Sequence, residues 1–70
     1  MKKETIRKVG IEKGVKDLDV FVEFFSRRFP NESEGILSYV SGWADRFNTG
    51  HPEYSMDGMS KKIYDEVKSE

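Results

Sequence analysis

The sequence predicts an all-α domain spanning residues 1–70. It is a small bundle of three main helices, over about 17–29, 32–48 and 56–68, preceded by a short N-terminal helix or extended segment. Three observations predict this. Apolar residues recur at helical spacing within the long pieces of chain. Breakers separate those pieces at Gly10 and Gly14, at Pro30-Asn31 and at Thr49-Gly50-His51-Pro52. The residues at the ends of the pieces are those that helix ends favour.

Residues 4–15 suit two conformations. Ile6 and Val9 fit a short helix, whereas Ile11 and Val15 lie between and beyond the glycines and fit an extended chain. Residues 17–29 read as the first strong helix. Asp17 is a candidate N-cap, Asp19 stands in the first turn, and Arg27 and Arg28 stand in the last turn, where the helix dipole favours cations. Pro30 ends it. The aromatic and β-branched residues also suit a strand, but the length and the matched ends favour a helix. Residues 32–48 give the clearest stripe, with Ile36, Tyr39, Val40, Trp43, Ala44 and Phe47 on one side. Asn31 and Glu34 have capping-box spacing, and Gly50 follows the end. Residues 56–68 form the third helix, capped by Ser55 or Asp57. Met59, Ile63 and Val67 recur every four residues, flanked by Met56 and Tyr64.

A helix turns about 100° per residue. By that rotation the apolar arc of helix 32–48 is about 160° and that of helix 56–68 is narrower. The arc of helix 17–29 approaches about 200°. Leu18, Phe21, Val22, Phe25 and Phe29 form one face, and Val20 and Phe24 add a second strip. A helix so widely apolar needs cover on two sides. The expected cover for Val20 and Phe24 is Ile6, Val9, Ile11 and Val15, with residues 1–15 packing as a basic segment on the domain. A second chain is the alternative cover. Trp43 and Phe47 are expected to pack on Phe21 and Phe25.

Helix 32–48 also carries small residues on its polar side: Gly35, Ser38, Ser41 and Gly42. A mid-helix glycine such as Gly42 costs about 0.8–1.0 kcal/mol relative to alanine. Glycine in such a position often admits a second backbone. These four residues are therefore the leading candidates for contact with a partner protein, and the Val20–Phe24 strip is the second candidate. A second copy of the chain, in a homodimer, is one such partner.

Seventy residues bury only about 60% of their unfolded surface, so stability is expected to be modest. There is no cysteine and one histidine, His51, which excludes disulfides and disfavours structural zinc. Helix packing or self-association must supply the stability. No export signal and no apolar run near the roughly 18 residues of a membrane span occur, so a cytoplasmic protein without membrane contact is expected. Asn31-Glu32-Ser33 matches a glycosylation sequon, read here as chance.

Catalytic motifs are missing. No Gly-x-Ser-x-Gly elbow accompanies the serines. His51 stands in a turn and reads as a structural residue. Asp17-x-Asp19 opens like a calcium loop but lacks the later ligands. Residues 56–62 lack the Gly-Lys-Ser/Thr order of a phosphate loop. Glu32 and Glu34 open a helix, and the adjacent Asp65 and Glu66 face different directions. An enzyme is not expected, nor a cofactor or metal.

Net charge is −1, from 12 basic and 13 acidic residues, so whole-molecule attraction to nucleic acid is weak. The charge is nevertheless uneven. Lys2, Lys3, Arg7, Lys8, Lys13 and Lys16 face only Glu4 and Glu12 in the first 16 residues, and the rest of the chain is acidic. The turn around Pro30-Asn31 has helix-turn-helix spacing. The helix that would enter the groove opens with Glu32-Ser33-Glu34-Gly35, which offers carboxylates where base-reading donors are needed. The sequence therefore favours a non-catalytic small regulatory, adaptor or inhibitor protein that binds another protein. The alternative is a nucleic-acid-binding regulator using Lys2, Lys3, Arg7 and Lys8 with Lys61 and Lys62.

Overall fold

Four α-helices run through the computed structural model, which describes all of residues 1–70: α1 (Lys3–Lys13), α2 (Leu18–Arg28), α3 (Leu37–Asn48) and α4 (Gly58–Lys68). Single 3-10 turns, Glu34–Ile36 and Pro52–Ser55, precede α3 and α4. No strand forms. The molecule measures 24 × 24 × 21 Å.

The N-terminal segment is a full helix, which settles the choice between helix and extended chain and corrects the reading of Gly10 as a breaker. Gly10 is buried inside α1. A Cβ at Gly10 would stand 2.5 Å from Leu18 Cδ1 and 3.1 Å from Phe21 Cδ1. Glycine is there because α2 crosses at that point. Gly14 ends α1 with φ 67°, a left-handed conformation that favours glycine. The Val15 amide then donates to the Gly10 carbonyl at 2.9 Å, folding the chain back toward α2.

α2 is the centre of the bundle. Asp17 caps it, accepting from the Val20 amide at 3.5 Å. α1 packs against α2 and α3, and α4 packs against α2 on another side, without touching α1. The wide apolar arc thus has its two covers. Phe21 meets Phe47 edge to face at 5.2 Å, and Phe25 meets Phe47 at 5.7 Å and Trp43 at 6.4 Å. The expected pairing of α2 with α3 is present. Trp43 and Phe47 are both buried in the core cluster.

Residues 32–36, expected in the helix over 32–48, do not belong to α3, and the expected capping box at Asn31 and Glu34 is not formed. The chain enters through the 3-10 turn, whose cap residue Ser33 makes no side-chain capping bond. Gly35 lies in this turn. α4 starts at Asp57, whose carboxylate accepts the Ser60 amide at 2.8 Å. That bond, from the amide first and the Ser60 side chain second, holds the Asp57 carboxyl below its ordinary range. The inward face of α4 is Ser60, Tyr64 and Val67, with Ile63 half-buried. Met59 is 59% exposed, so the expected Met59 stripe is rotated by one residue. The inward face is the one on which Tyr64 packs against Phe24 and Phe47, at 6.1 and 6.0 Å, and on which Ser60 accepts from Arg28 Nε at 2.9 Å.

The polar side of α2 ties the neighbouring elements together. Lys3 Nζ reaches Glu23 at 2.7 Å, Glu23 reaches Arg27 at 3.3 Å, and Arg27 holds Glu70 through two bonds of 2.7 Å. The hydrogen bond from Lys3 holds the Glu23 carboxyl below its ordinary range, and that from Arg27 does the same for Glu70. These pairs are in water and contribute orientation more than stability.

Candidate partner surface on the third helix

Two sides of α3 are covered, and one is not. Val40, Trp43, Ala44 and Phe47 face the core. Ser41 is half-buried, and Asn48 accepts the Lys16 amide at 2.9 Å, so that side adjoins the α1–α2 connection. Ser38, Tyr39, Gly42 and Arg46 are exposed, with Gly35 at the near end. Helical rotation groups these residues on one outer face. Gly42 is one turn beyond Tyr39 and one turn before Arg46, so its bare backbone forms a notch between two large side chains.

Nothing within the chain explains Gly42. A Cβ there would meet no atom within 4 Å, and one at Gly35 would meet only Ser33 Oγ at 3.5 Å. Gly42→Ala is therefore expected to stabilise the protein by about 0.8–1.0 kcal/mol, the propensity difference. At about 4–8 °C per kcal/mol for a domain this small, thermal melting reads the change easily. An unchanged or lower melting temperature would mean that the methyl meets a strain absent from the structure.

One part of this face was not read from the sequence. Tyr39, counted among the core stripe, is 51% exposed. It stands edge to face with Phe29 at 5.8 Å and with Trp43 at 6.2 Å. The Arg28 guanidinium lies 4.7 Å over Phe29, and that of Arg46 lies 4.9 Å over Trp43. Arg28, Phe29, Tyr39, Trp43 and Arg46 thus form one continuous row across the ends of α2 and α3. The i, i+3 spacing of Trp43 and Arg46 is visible in the sequence. The contacts with Phe29 and Arg28 depend on how two helices cross, and no local pattern reports that.

Of the second sequence candidate, Phe24 lies inside the core and Val20 packs at its edge. Phe24 is only 2% exposed, and its ring neighbours are Phe25 at 4.9 Å, Phe47 at 5.9 Å and Tyr64 at 6.1 Å. α4 supplies cover that the sequence reading assigned to the N-terminal segment. Val20 is half-buried. Ile6 and Val15 do join the core, but Ile11 is 64% exposed and covers nothing.

The basic residues are split. Lys3 pairs with Glu23, Arg7 with Asp19 at 3.6 Å, and Lys61 with Asp65 at 2.8 Å. Lys2, Lys8 and Lys62 remain outside any ion pair, and they stand on α4 and at α1, which do not touch. His51 is exposed, stacks on Tyr54 at 4.8 Å, and lies 3.3 Å from Glu53 through Nδ1. The two surface depressions, about 480 Å3 along α4 and about 350 Å3 beside Pro30, have at most one apolar lining residue between them.

The fold and this face define a small four-helix α domain with an uncovered side on α3. Comparison with protein-family models, curated protein sequences and solved structures finds no match. No helix is long and apolar enough to cross a membrane.

Proposed function

We propose that this chain acts without catalysis, as a small regulatory, adaptor or inhibitor module that binds another protein through the outer face of α3. The observation that carries this reading is Gly42, an exposed mid-helix glycine that no neighbour in the chain requires. It lies between Tyr39 and Arg46 and beside Trp43. Tyrosine, tryptophan and arginine are the residue types that dominate the energetics of protein interfaces. A helix presenting a bare backbone step between two such anchors admits close approach by another chain. A nucleic-acid reading has less support, because half of its six candidate cations already hold carboxylates.

The test is affinity capture from the native host, with the wild type compared to Gly42→Gln and Tyr39→Ala. A defined protein is expected to be retained by the wild type and weakened at least about tenfold by each variant, equivalent to about 1.4 kcal/mol. Circular dichroism must show both variants folded. Lys61→Ala, on α4, is expected to leave capture unchanged. Equal retention by the wild type and both α3 variants would remove the assignment to this face.

A further inference from the structure

Arginine pairing separates two kinds of site in this protein. Of its four arginines, Arg7 and Arg27 lie within ion-pair distance of carboxylates. Arg28 and Arg46 do not. They are the two that end the aromatic row, each with its guanidinium carbon over a ring, 4.7 Å from the centroid of Phe29 and 4.9 Å from that of Trp43. A cation–ring contact occupies none of the guanidinium N–H donors with an acceptor, so those donors can still meet a carboxylate. Arg28 already spends Nε on Ser60, which fixes its plane and leaves its terminal nitrogens. Asp57 lies near enough for the Arg28 charge to help depress its carboxyl, so Arg46 is the less compensated of the two. Between the two cations lie Phe29, half-buried, and the exposed Tyr39, with Trp43 buried beneath at 9% exposure.

The geometry points to a partner segment that is an acidic peptide: an apolar or aromatic side chain seated against Tyr39 and the half-buried Phe29, flanked by carboxylates that meet Arg28 and Arg46. This rests on the proposed binding face and adds the chemical class of what it binds. Charge complementarity selects the class, since the row is cationic at both ends with an apolar middle. Single-stranded nucleic acid would also suit arginine and aromatics. The rings, however, stand at 85° and 62° to their neighbours, not in parallel. Only Tyr39 presents more than half its surface, so successive bases find no series of stacking platforms.

Trp43 is the sole tryptophan and lies against Arg46 and Tyr39, so its fluorescence is expected to change when a ligand moves either side chain. The experiment pans a displayed library of random peptides against the full chain and titrates the selected peptides and an oligothymidylate by Trp43 fluorescence. Selected peptides are expected to carry Asp or Glu on both sides of an apolar residue. Their affinity is expected to fall roughly tenfold in Arg46→Gln, further in the Arg28→Gln, Arg46→Gln double variant, and with added salt. Lys62→Gln, an unpaired cation on α4, is expected to bind as the wild type does. Peptides that need Tyr39 and Gly42 but carry no acidic residue would overturn the acidic class while leaving the binding face in place. Peptides indifferent to Tyr39→Ala and Gly42→Gln would overturn both. Tight oligothymidylate binding lost in Arg46→Gln would replace the peptide with a nucleic acid.

Discussion

Phe24→Asp is expected to leave no folded population. Phe24 is 2% exposed and closed in by Phe25, Phe47 and Tyr64, so the new carboxylate has no cation and no water to meet. Removing a buried phenylalanine costs about 3–5 kcal/mol from lost transfer energy and cavity. Leaving a polar group buried without partners adds to that. A domain of this size rarely draws more than about 3–5 kcal/mol of net stability from its core. Either contribution alone approaches the total. Far-UV circular dichroism is expected to show the loss of helix, and thermal scans to show no cooperative transition. The conservative Phe24→Leu variant is expected to fold with a lower melting temperature, which separates the charge from the loss of the ring. A Phe24→Asp variant that melts cooperatively near the wild-type temperature would show that Phe24 is not enclosed, and α4 would then not be its cover.

The same residue shows what the sequence could and could not specify. Its periodicity placed Phe24 on a second apolar strip and required two covers for the first strong helix. That followed from arc width, a property of one helix. Which element supplies each cover is a property of three helices, and periodicity carries no information about it. Hence the assignment of Ile11 to the core, although Ile11 is 64% exposed. Gly10 was misread for the same reason. A glycine signals a break when only its propensity is considered, and a helix crossing when Leu18 and Phe21 are known to lie against it. Helix ends were legible where a side chain makes the cap, as Asp17 and Asp57 do. The start of α3 was not, because a 3-10 turn with no capping side chain replaces the expected box. On the candidate surface, Gly42 stood out in the sequence because its cost is local. The row from Arg28 to Arg46 did not, because the Phe29–Tyr39 contact that joins its two halves depends on how α2 and α3 pack.

Within α1, one pair of identical substitutions separates the observed helix register from any other. Ile6→Ala is expected to cost about 2–5 kcal/mol, the range for deleting the branched side chain of a buried isoleucine. Ile6 is 0% exposed and belongs to the core cluster with Phe21 and Phe25. Ile11→Ala removes the same atoms from a position that is 64% exposed, where little burial is lost. Alanine also has the higher helix propensity, so that variant is expected to melt within a few degrees of the wild type. The contrast follows from rotation: five residues at about 100° each place Ile11 some 140° from Ile6. It also depends on Gly10. The glycine lets α1 lie close enough on α2 for Ile6 to reach the core, and that closeness fixes which isoleucine points inward. Urea denaturation of the two variants reads both costs on one scale. Equal losses, or a larger loss at Ile11, would mean that the N-terminal segment packs in a different register or is not helical against α2. A large loss confined to Ile6 would place α1 among the elements that hold the domain together, since its burial is then comparable to the whole net stability of the fold.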